Sequence, residues 1–158
     1  FVEGLREYVR RHSYGNASMS DLWAAVQSCA PKGGLLRVED LMMPWLLQRG
    51  FPCVTASMRP PEAGAATVVL EQAPFRPDTV DGEPLLWPIP LVFKRIITGA
   101  DGSTRVHTSL ELLLGQRLDV ALDGGLELQD GEAVTGVVVN GNHAAFCVVS
   151  VRCARLAE

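Results

Sequence analysis

The sequence predicts an α+β chain: a short N-terminal helical segment of three helices over residues 1–50, then an all-β sandwich of seven or eight strands over residues 51–158. Three observations predict it. Apolar residues recur at helical spacing through the first fifty positions. The period falls to two from Phe51 onward. Five Asp-Gly or Asn-Gly dipeptides punctuate that second stretch. Spacings of three and four put side chains on one helix face, whereas strict alternation puts them on one strand face. Asp-Gly and Asn-Gly tolerate the positive φ that tight hairpins require.

The first helix carries Phe1, Leu5, Tyr8 and Val9 on one face, with Glu3, Arg6 and Arg10 elsewhere. "YGN" at Tyr14–Asn16 stops it, Gly15 being expected to take the left-handed conformation. Ser18 and Asp21 have the spacing of a capping box. They open a helix whose apolar side is Leu22, Trp23, Val26 and Cys29, ended by Pro31 and the "KGG" of Lys32–Gly34. The third pattern is Val38, Leu41, Met42, Trp45 and Leu46, closing at Gly50 and Pro52. Pro44 inside it lacks a backbone donor, so a kink or a restarted helix is expected. Three helices this short rarely carry a core alone. Their apolar stripes need a cover, either the sandwich or a surface beyond the chain.

Candidate strands are 52–58, 66–72, 89–97, 104–113, 117–122, 125–129, 134–140 and 144–152. In "RVHTSLELLL" the residues Val106, Thr108, Leu110 and Leu112 alternate with His107, Ser109 and Glu111. The turns are Asp81-Gly82, Asp101-Gly102, Asp123-Gly124, Asp130-Gly131 and Asn140-Gly141. "WPIP" at Trp87–Pro90 belongs at an edge or a strand start, since proline cannot donate to a ladder.

Composition excludes several classes. Apolar residues make up 47% and charged residues 20%, a folded rather than a disordered balance. A net charge of −4, with Arg10-Arg11 as the one basic cluster, argues against nucleic acid. The longest apolar run, Leu85–Phe93, is broken by Pro88 and Pro90 and is far short of the ~20 residues of a spanning helix. No basic, apolar, small-residue order marks a signal peptide. The first residue is Phe1, not Met, which reads as an excised domain. Cys29, Cys53, Cys147 and Cys153 form no C-x-x-C pair and sit among apolar neighbours. They read as buried free thiols, which fits a reducing compartment; a fragment leaves the localisation unknown, with the cytoplasm slightly favoured.

No catalytic, cofactor-binding or metal-ligating residue is expected in the chain. His12, His107 and His143 each stand alone, and no H-E-x-x-H places two zinc ligands on one helix face around a general-base Glu. His107 and Glu111, four apart on a strand, serve no ligand geometry. His143, in the turn "NGNH", is the least implausible functional histidine. No G-x-S-x-G elbow or phosphate-cradling glycine loop is present, and "GADGS" at Gly99–Ser103 reads as a hairpin turn. Asp119, Asp123, Asp130 and Glu132 are explained by turns better than by calcium. Asn16-Ala17-Ser18 is formally a glycosylation acceptor but reads as a turn and helix cap. Trp23, Trp45 and Trp87 read as packing residues rather than a stacking platform.

The order of motifs is nonetheless specific. "FVEGLREYVRRHSYGNASMSDLW" (Phe1–Trp23), "MMPWLLQRGFPCVT" (Met42–Thr55), "LEQAPF" (Leu70–Phe75) and "LWPIPLVF" (Leu86–Phe93) closely resemble the aminopeptidase N family of zinc aminopeptidases, which includes the puromycin-sensitive and endoplasmic-reticulum aminopeptidases. Gly4, Tyr8, His12, Tyr14, Asn16, Asp21, Leu22, Trp23, Trp45, Gln48, Gly50, Phe51 and Pro52 fill the family's pattern in order. "VVVNGNHAAFCVVSV" (Val137–Val151) resembles its last two sandwich strands, with Asn140 and Phe146 at recurring positions. Pro44 and Ala145-Phe146-Cys147 depart from the pattern, and Gly99–Gly136 matches it loosely.

The resemblance implies a non-catalytic fragment. Residues 1–50 would be the helical tail of a metallopeptidase catalytic domain, and residues 51–158 a β-sandwich spacer before a C-terminal helical domain. The family's zinc ligands, base and tyrosine lie upstream and have no counterpart here, so zinc is implied for the parent alone. The parent would remove N-terminal residues from peptides. The implied partners are the missing catalytic and helical domains of the same polypeptide, with no nucleic acid and no membrane segment in this chain. Two other readings stay open: a stand-alone β-sandwich binding module for peptide or carbohydrate, and a short, catalytically dead paralogue acting as an interaction subunit.

Overall fold

The computed structural model describes residues 1–31, 36–60, 66–75 and 85–152. The Lys32–Gly34 break, the Asp81-Gly82 turn and Cys153 lie outside the described residues. The chain divides into two compact units, Phe1–Arg49 and Gly50–Glu158.

The first unit holds three ten-residue helices: α1 (Val2–Arg11), α2 (Met19–Ser28) and α3 (Val38–Leu47). Glu3 in the first turn of α1 and Arg10 and Arg11 in its last complement the helix dipole. Gly4 is buried because α2 comes too close for a side chain: a Cβ there would lie 2.6 Å from the Val26 Cα. The capping box at α2 forms as the spacing predicts. Ser18 Oγ accepts the Asp21 backbone N–H at 3.3 Å, and the Asp21 carboxylate accepts the Ser18 N–H at 2.8 Å. The Val38 N–H, orphaned at the start of α3, donates to Gln27 Oε1 on α2 at 2.7 Å.

Two local expectations are corrected. The left-handed residue after α1 is Tyr14 (φ 58°), not Gly15. Its side chain is fully exposed, so only the ~1–2 kcal/mol backbone cost of that conformation opposes it. Of the kink and the restart expected at Pro44, the restart is the one that falls: helix α3 runs through Pro44 as a single element, and the Gln48 N–H donates to the Pro44 carbonyl at 3.1 Å.

The second unit contains β1 (Pro52–Arg59), β2 (Thr67–Pro74), β3 (Ile89–Thr98), β4 (Thr104–Leu113), β5 (Arg117–Ala121), β6 (Ala133–Val139) and β7 (Val148–Arg152). They form a four-stranded sheet in the order β5-β2-β1-β7 and a three-stranded sheet in the order β4-β3-β6. Among the described residues only β1 and β7 pair in parallel. Side chains alternating along β1, β2 and β3 bury Val54, Leu70, Ile89, Leu91, Phe93 and Ile97 between the sheets, with Trp87 and Leu113 beside them. Gln72, almost wholly buried, ties this core to its loops. Its Oε1 accepts the Trp87 N–H at 3.0 Å, and its Nε2 donates to the Trp87 and Gly115 carbonyls at 2.9 and 2.8 Å.

Seven strands form among the described residues, and the expected strand 125–129 is not one of them. A turn with Gly125 at φ 73° ends β5, and the following segment carries the chain from one sheet to the other, where it has no neighbour to pair. The expected strand 144–152 begins only at Val148. Asn140 (φ 57°) starts a single 3-10 turn, Gly141–His143, and clamps the loop after it. Its Nδ2 donates to the Ala145 carbonyl at 3.0 Å and its Oδ1 accepts the Ala145 N–H at 2.9 Å. Asp101-Gly102 makes the tight β3–β4 hairpin, with Gly102 at φ 80°.

Strand β4 is inverted relative to its hydropathy. Ser109 and Glu111 pair with Phe93 and Leu91, whose side chains point inward, so the polar set faces the core side. Val106 and Leu110 face outward and are 59% and 67% exposed.

Candidate functional site

The histidines remain apart in the fold. His12 caps α1, where its ring lies 5.4 Å from that of Tyr8. His107 is half-buried on β4, and His143 is exposed in the 3-10 turn with φ 51°. Among the described residues no group of three His, Cys, Asp or Glu side chains gathers to hold a metal. The donors present therefore do not fit the zinc that the motif resemblance implies, and no step through a metal is derived for this chain.

The acidic residues weighed for calcium are engaged by arginines or lie in turns. Asp119 accepts from Arg117 Nε at 2.7 Å and lies 3.1 Å from Arg59 Nη2. Glu132 is held by Arg105, and Asp123 and Asp130 sit in turns. Trp23 and Trp87 are buried and Trp45 is half-buried, which is packing usage.

One buried charge stands out. Arg95, on β3, is 2% exposed and points between the sheets. Its Nη1 donates to Ser109 Oγ at 2.7 Å. Its Nη2 lies 3.4 Å from Glu111 Oε1 and 3.3 Å from the Ala121 carbonyl of the other sheet. The guanidinium carbon sits 4.8 Å from the Phe93 ring centroid, while Nε has no protein partner. Ser109 Oγ in turn donates to Glu111 at 2.8 Å. A guanidinium neutralised by a carboxylate and tied to both sheets is a fastener, and its directly paired neighbour on β4 is His107. Its partners explain why β4 turns its polar side inward.

The thiols correct the expectation of buried cysteines. Cys29 is exposed, and Cys53 and Cys147 are half-buried. Burial, then the neighbouring Cys53 thiol, pushes Cys147 up to about 11, so at neutral pH it is a thiol and a poor nucleophile. Around this end of the sandwich lie three aromatics. Phe51 stacks on Phe75 at 4.9 Å and meets Phe146 at 5.4 Å, and Phe146 is 72% exposed.

A cleft of about 450 Å³ opens between the edge strands β6 and β7. Met58, Val68, Leu122, Val137, Val149 and Val151 line it together with Ser57 and Thr135, so it is mostly apolar. Among the described residues each flanking strand pairs on one side only, which leaves backbone donors and acceptors at the rim. Such a cleft accommodates an aliphatic group or an extended chain, and none of its lining side chains is ionisable. Sequence reasoning missed it, because its lining combines β6 and β7 with residues of β1 and β2, and only the packing of the two sheets brings these together.

No family model matches the chain. Curated relatives do. Aminopeptidase M1-B of Oryza sativa subsp. japonica is 33% identical over 91 residues, 58% of this chain and 9% of the relative. The thyrotropin-releasing hormone-degrading ectoenzyme of Homo sapiens is 28% identical over 123 residues, 72% of this chain and 11% of the relative. The puromycin-sensitive aminopeptidase of Caenorhabditis elegans is 31% identical over 118 residues, 74% of this chain and 11% of the relative. The matched stretch spans about a tenth of the length of each of these relatives.

Proposed function

The chain belongs to the aminopeptidase N family, and on that premise we propose that it is a non-catalytic segment of a longer zinc aminopeptidase. The observation that carries this reading is the short matched span. Relatives named as aminopeptidases, and one named for degrading thyrotropin-releasing hormone, share this stretch as about a tenth of their length. The parent polypeptide removes residues from the N-termini of peptides, with zinc and its ligands supplied by sequence outside residues 1–158. A bound metal would supply an activated water for attack on the scissile carbonyl.

The segment's own work is mechanical. Its helical unit is the tail of the catalytic domain, and its sandwich is a spacer that fixes a C-terminal domain relative to that domain. Arg95 and Gln72 support this reading, because both spend buried polar groups on rigidity rather than chemistry. A rigid spacer sets the geometry in which larger domains open and close.

The test is the size and activity of the native polypeptide. An antibody raised against this chain should detect a band several times heavier than 158 residues allow. Material captured by it should release the amine-terminal residue of an aminoacyl reporter, and a chelator should abolish that release. A native band at the size of the chain itself would sink the reading. It would turn attention to a binding module that uses the β6–β7 cleft.

A further inference from the structure

We propose that the outward face of the three-stranded sheet is a docking surface, and that its occupant is an apolar, uncharged surface of the same polypeptide outside residues 1–158. The inference rests on the reading of the chain as a segment of a longer enzyme, and it names which side of the sandwich meets a neighbour. The face is formed by Val92 and Ile96 of β3, Val106, Leu110 and Leu112 of β4, and Val138 of β6. Register sets each opposite another outward position: Val92 faces Leu110, Ile96 faces Val106 and Val138 lies beside Lys94, with Thr98, Thr104 and Thr108 on the same face. Val106, Leu110 and Val138 are 59%, 67% and 44% exposed. The one charge on this face, Lys94, donates through Nζ to Asn142 Oδ1 at 2.8 Å.

The outward face of the four-stranded sheet is built differently. It carries Thr55, Arg59, Glu71, Arg117 and Asp119, with Arg59–Asp119 and Arg117–Asp119 ion pairs at 3.1 and 2.7 Å. That is the half-solvated pattern of an antiparallel sheet with one wet side, whereas the three-stranded sheet turns the apolar set of β4 outward and lacks that pattern. The apolar side of β4 is not free to turn inward, either. Slipping the strand by one residue would carry Ser109 and Glu111 away from Arg95 and strand a buried guanidinium. The register that satisfies the core therefore commits Val106 and Leu110 to the outside.

Size decides the occupant. Three strands of seven to ten residues cover about 350–490 Å² a side at ~3.4 Å per residue and ~4.8 Å per strand. A stable interface between free molecules takes about 800 Å² from each partner. Interfaces between domains of one chain bury about 600–1,500 Å² in total, or roughly half that per side. The face is too small to hold a second copy firmly and is the right size for a tethered neighbour, whose linkage raises its effective concentration. The curated relatives are about ten times the length of the matched stretch, so the family has polypeptide to supply it.

The experiment compares maleimide labelling of Leu110→Cys in the native full-length polypeptide and in the 158-residue chain, read by peptide mass. Val106→Cys serves as a second probe, and Glu71→Cys on the charged face as the control. The expected result is labelling at 110 and 106 slowed by at least ~10-fold in the full-length protein, with the control unchanged. Equal rates at 110 in the two proteins would overturn the proposal and leave the aminopeptidase reading intact. Slow labelling in the 158-residue chain, with a doubled mass by light scattering, would assign the face to a second copy and also overturn it. A native polypeptide no longer than this chain would remove the premise and the proposal together.

Discussion

Glu132 precedes β6 and holds its carboxylate against Arg105 of β4, whose Nε and Nη2 donate at 2.8 and 2.7 Å, while the Gln129 backbone N–H donates at 2.8 Å. The Arg105 hydrogen bond first, then the Gln129 N–H, lowers the carboxyl from 4.5 to about 2. A carboxylate depressed on folding adds stability that is fully present above about 4.5 and is lost as the pH falls through about 2. Glu132→Gln should therefore lower the melting temperature at pH 6, and the gap to the native chain should close between pH 4.5 and 2. Melting curves at pH 6, 4 and 2.5 check it; a gap that stays constant would show the carboxylate to be irrelevant. Glu7 is lowered to about 2 by Arg10 and then Arg11, so it adds to the same acid limb. Residues of this kind are only half legible in sequence. Glu132 reads as a turn acid, but its partner lies 27 positions upstream, and only strand pairing brings the two together.

At the scale of elements, α3 carries the clearest conflict between propensity and structure. Pro44 sits in its interior, where proline costs ~3 kcal/mol relative to alanine, and the helix continues through it to Leu47. Pro44→Ala would restore a donor for the Asp40 carbonyl four residues back. The expected gain is about 1–3 kcal/mol of stability in the helical unit, measured by urea unfolding of the whole chain followed by tryptophan fluorescence. A loss would mean that the proline ring fills a packing need its helix geometry hides. The helices were legible because each carries local signals: apolar spacing, the Ser18–Asp21 box, proline and glycine stops. The strands were legible in position, and β4 was legible in its alternation but not in its orientation. Hydropathy puts Val106 and Leu110 inside. Arg95, 2% exposed, overrules it by holding Ser109 and Glu111 inward. The missing strand at 125–129 and the shortened one at Val148 have one cause in common. Both stretches are occupied by connections, one crossing between sheets and one clamped by Asn140, and a turn dipeptide cannot say which neighbour follows it.

For the whole molecule, the family signal was carried by the order of motifs from Gly4 to Pro52, which no single residue reveals, while the candidate surfaces depend on which side each strand turns to the core and on how the two sheets pack. The same contrast governs stability. The helices α1, α2 and α3 bury only Gly4, Trp23 and Ala25 among their residues, whereas the sandwich fully buries Trp87, Phe93, Leu70, Ile89, Leu91, Ile97, Leu113 and Val54. Each large apolar side chain taken wholly from water contributes ~1.5–3 kcal/mol, so the second unit holds most of the hydrophobic stabilisation. Phe1, Val2, Val9 and Leu47 stay between 58% and 78% exposed, so the helical unit also has less apolar area committed to any fold. Local opening energies follow buried apolar contact. Amide hydrogen exchange at neutral pH should thus be slowest in β1, β2 and β3 and at least ~100-fold faster across α1–α3, a difference of about 2.7 kcal/mol in opening free energy. In the full-length polypeptide the gap should narrow, because the helices would gain the cover that their exposed stripes lack in this chain. Equal protection of the two units in the 158-residue chain would mean that the helices already share the sandwich's cooperative unfolding. The case for a missing neighbour over α1 would then fall, whatever covers β4.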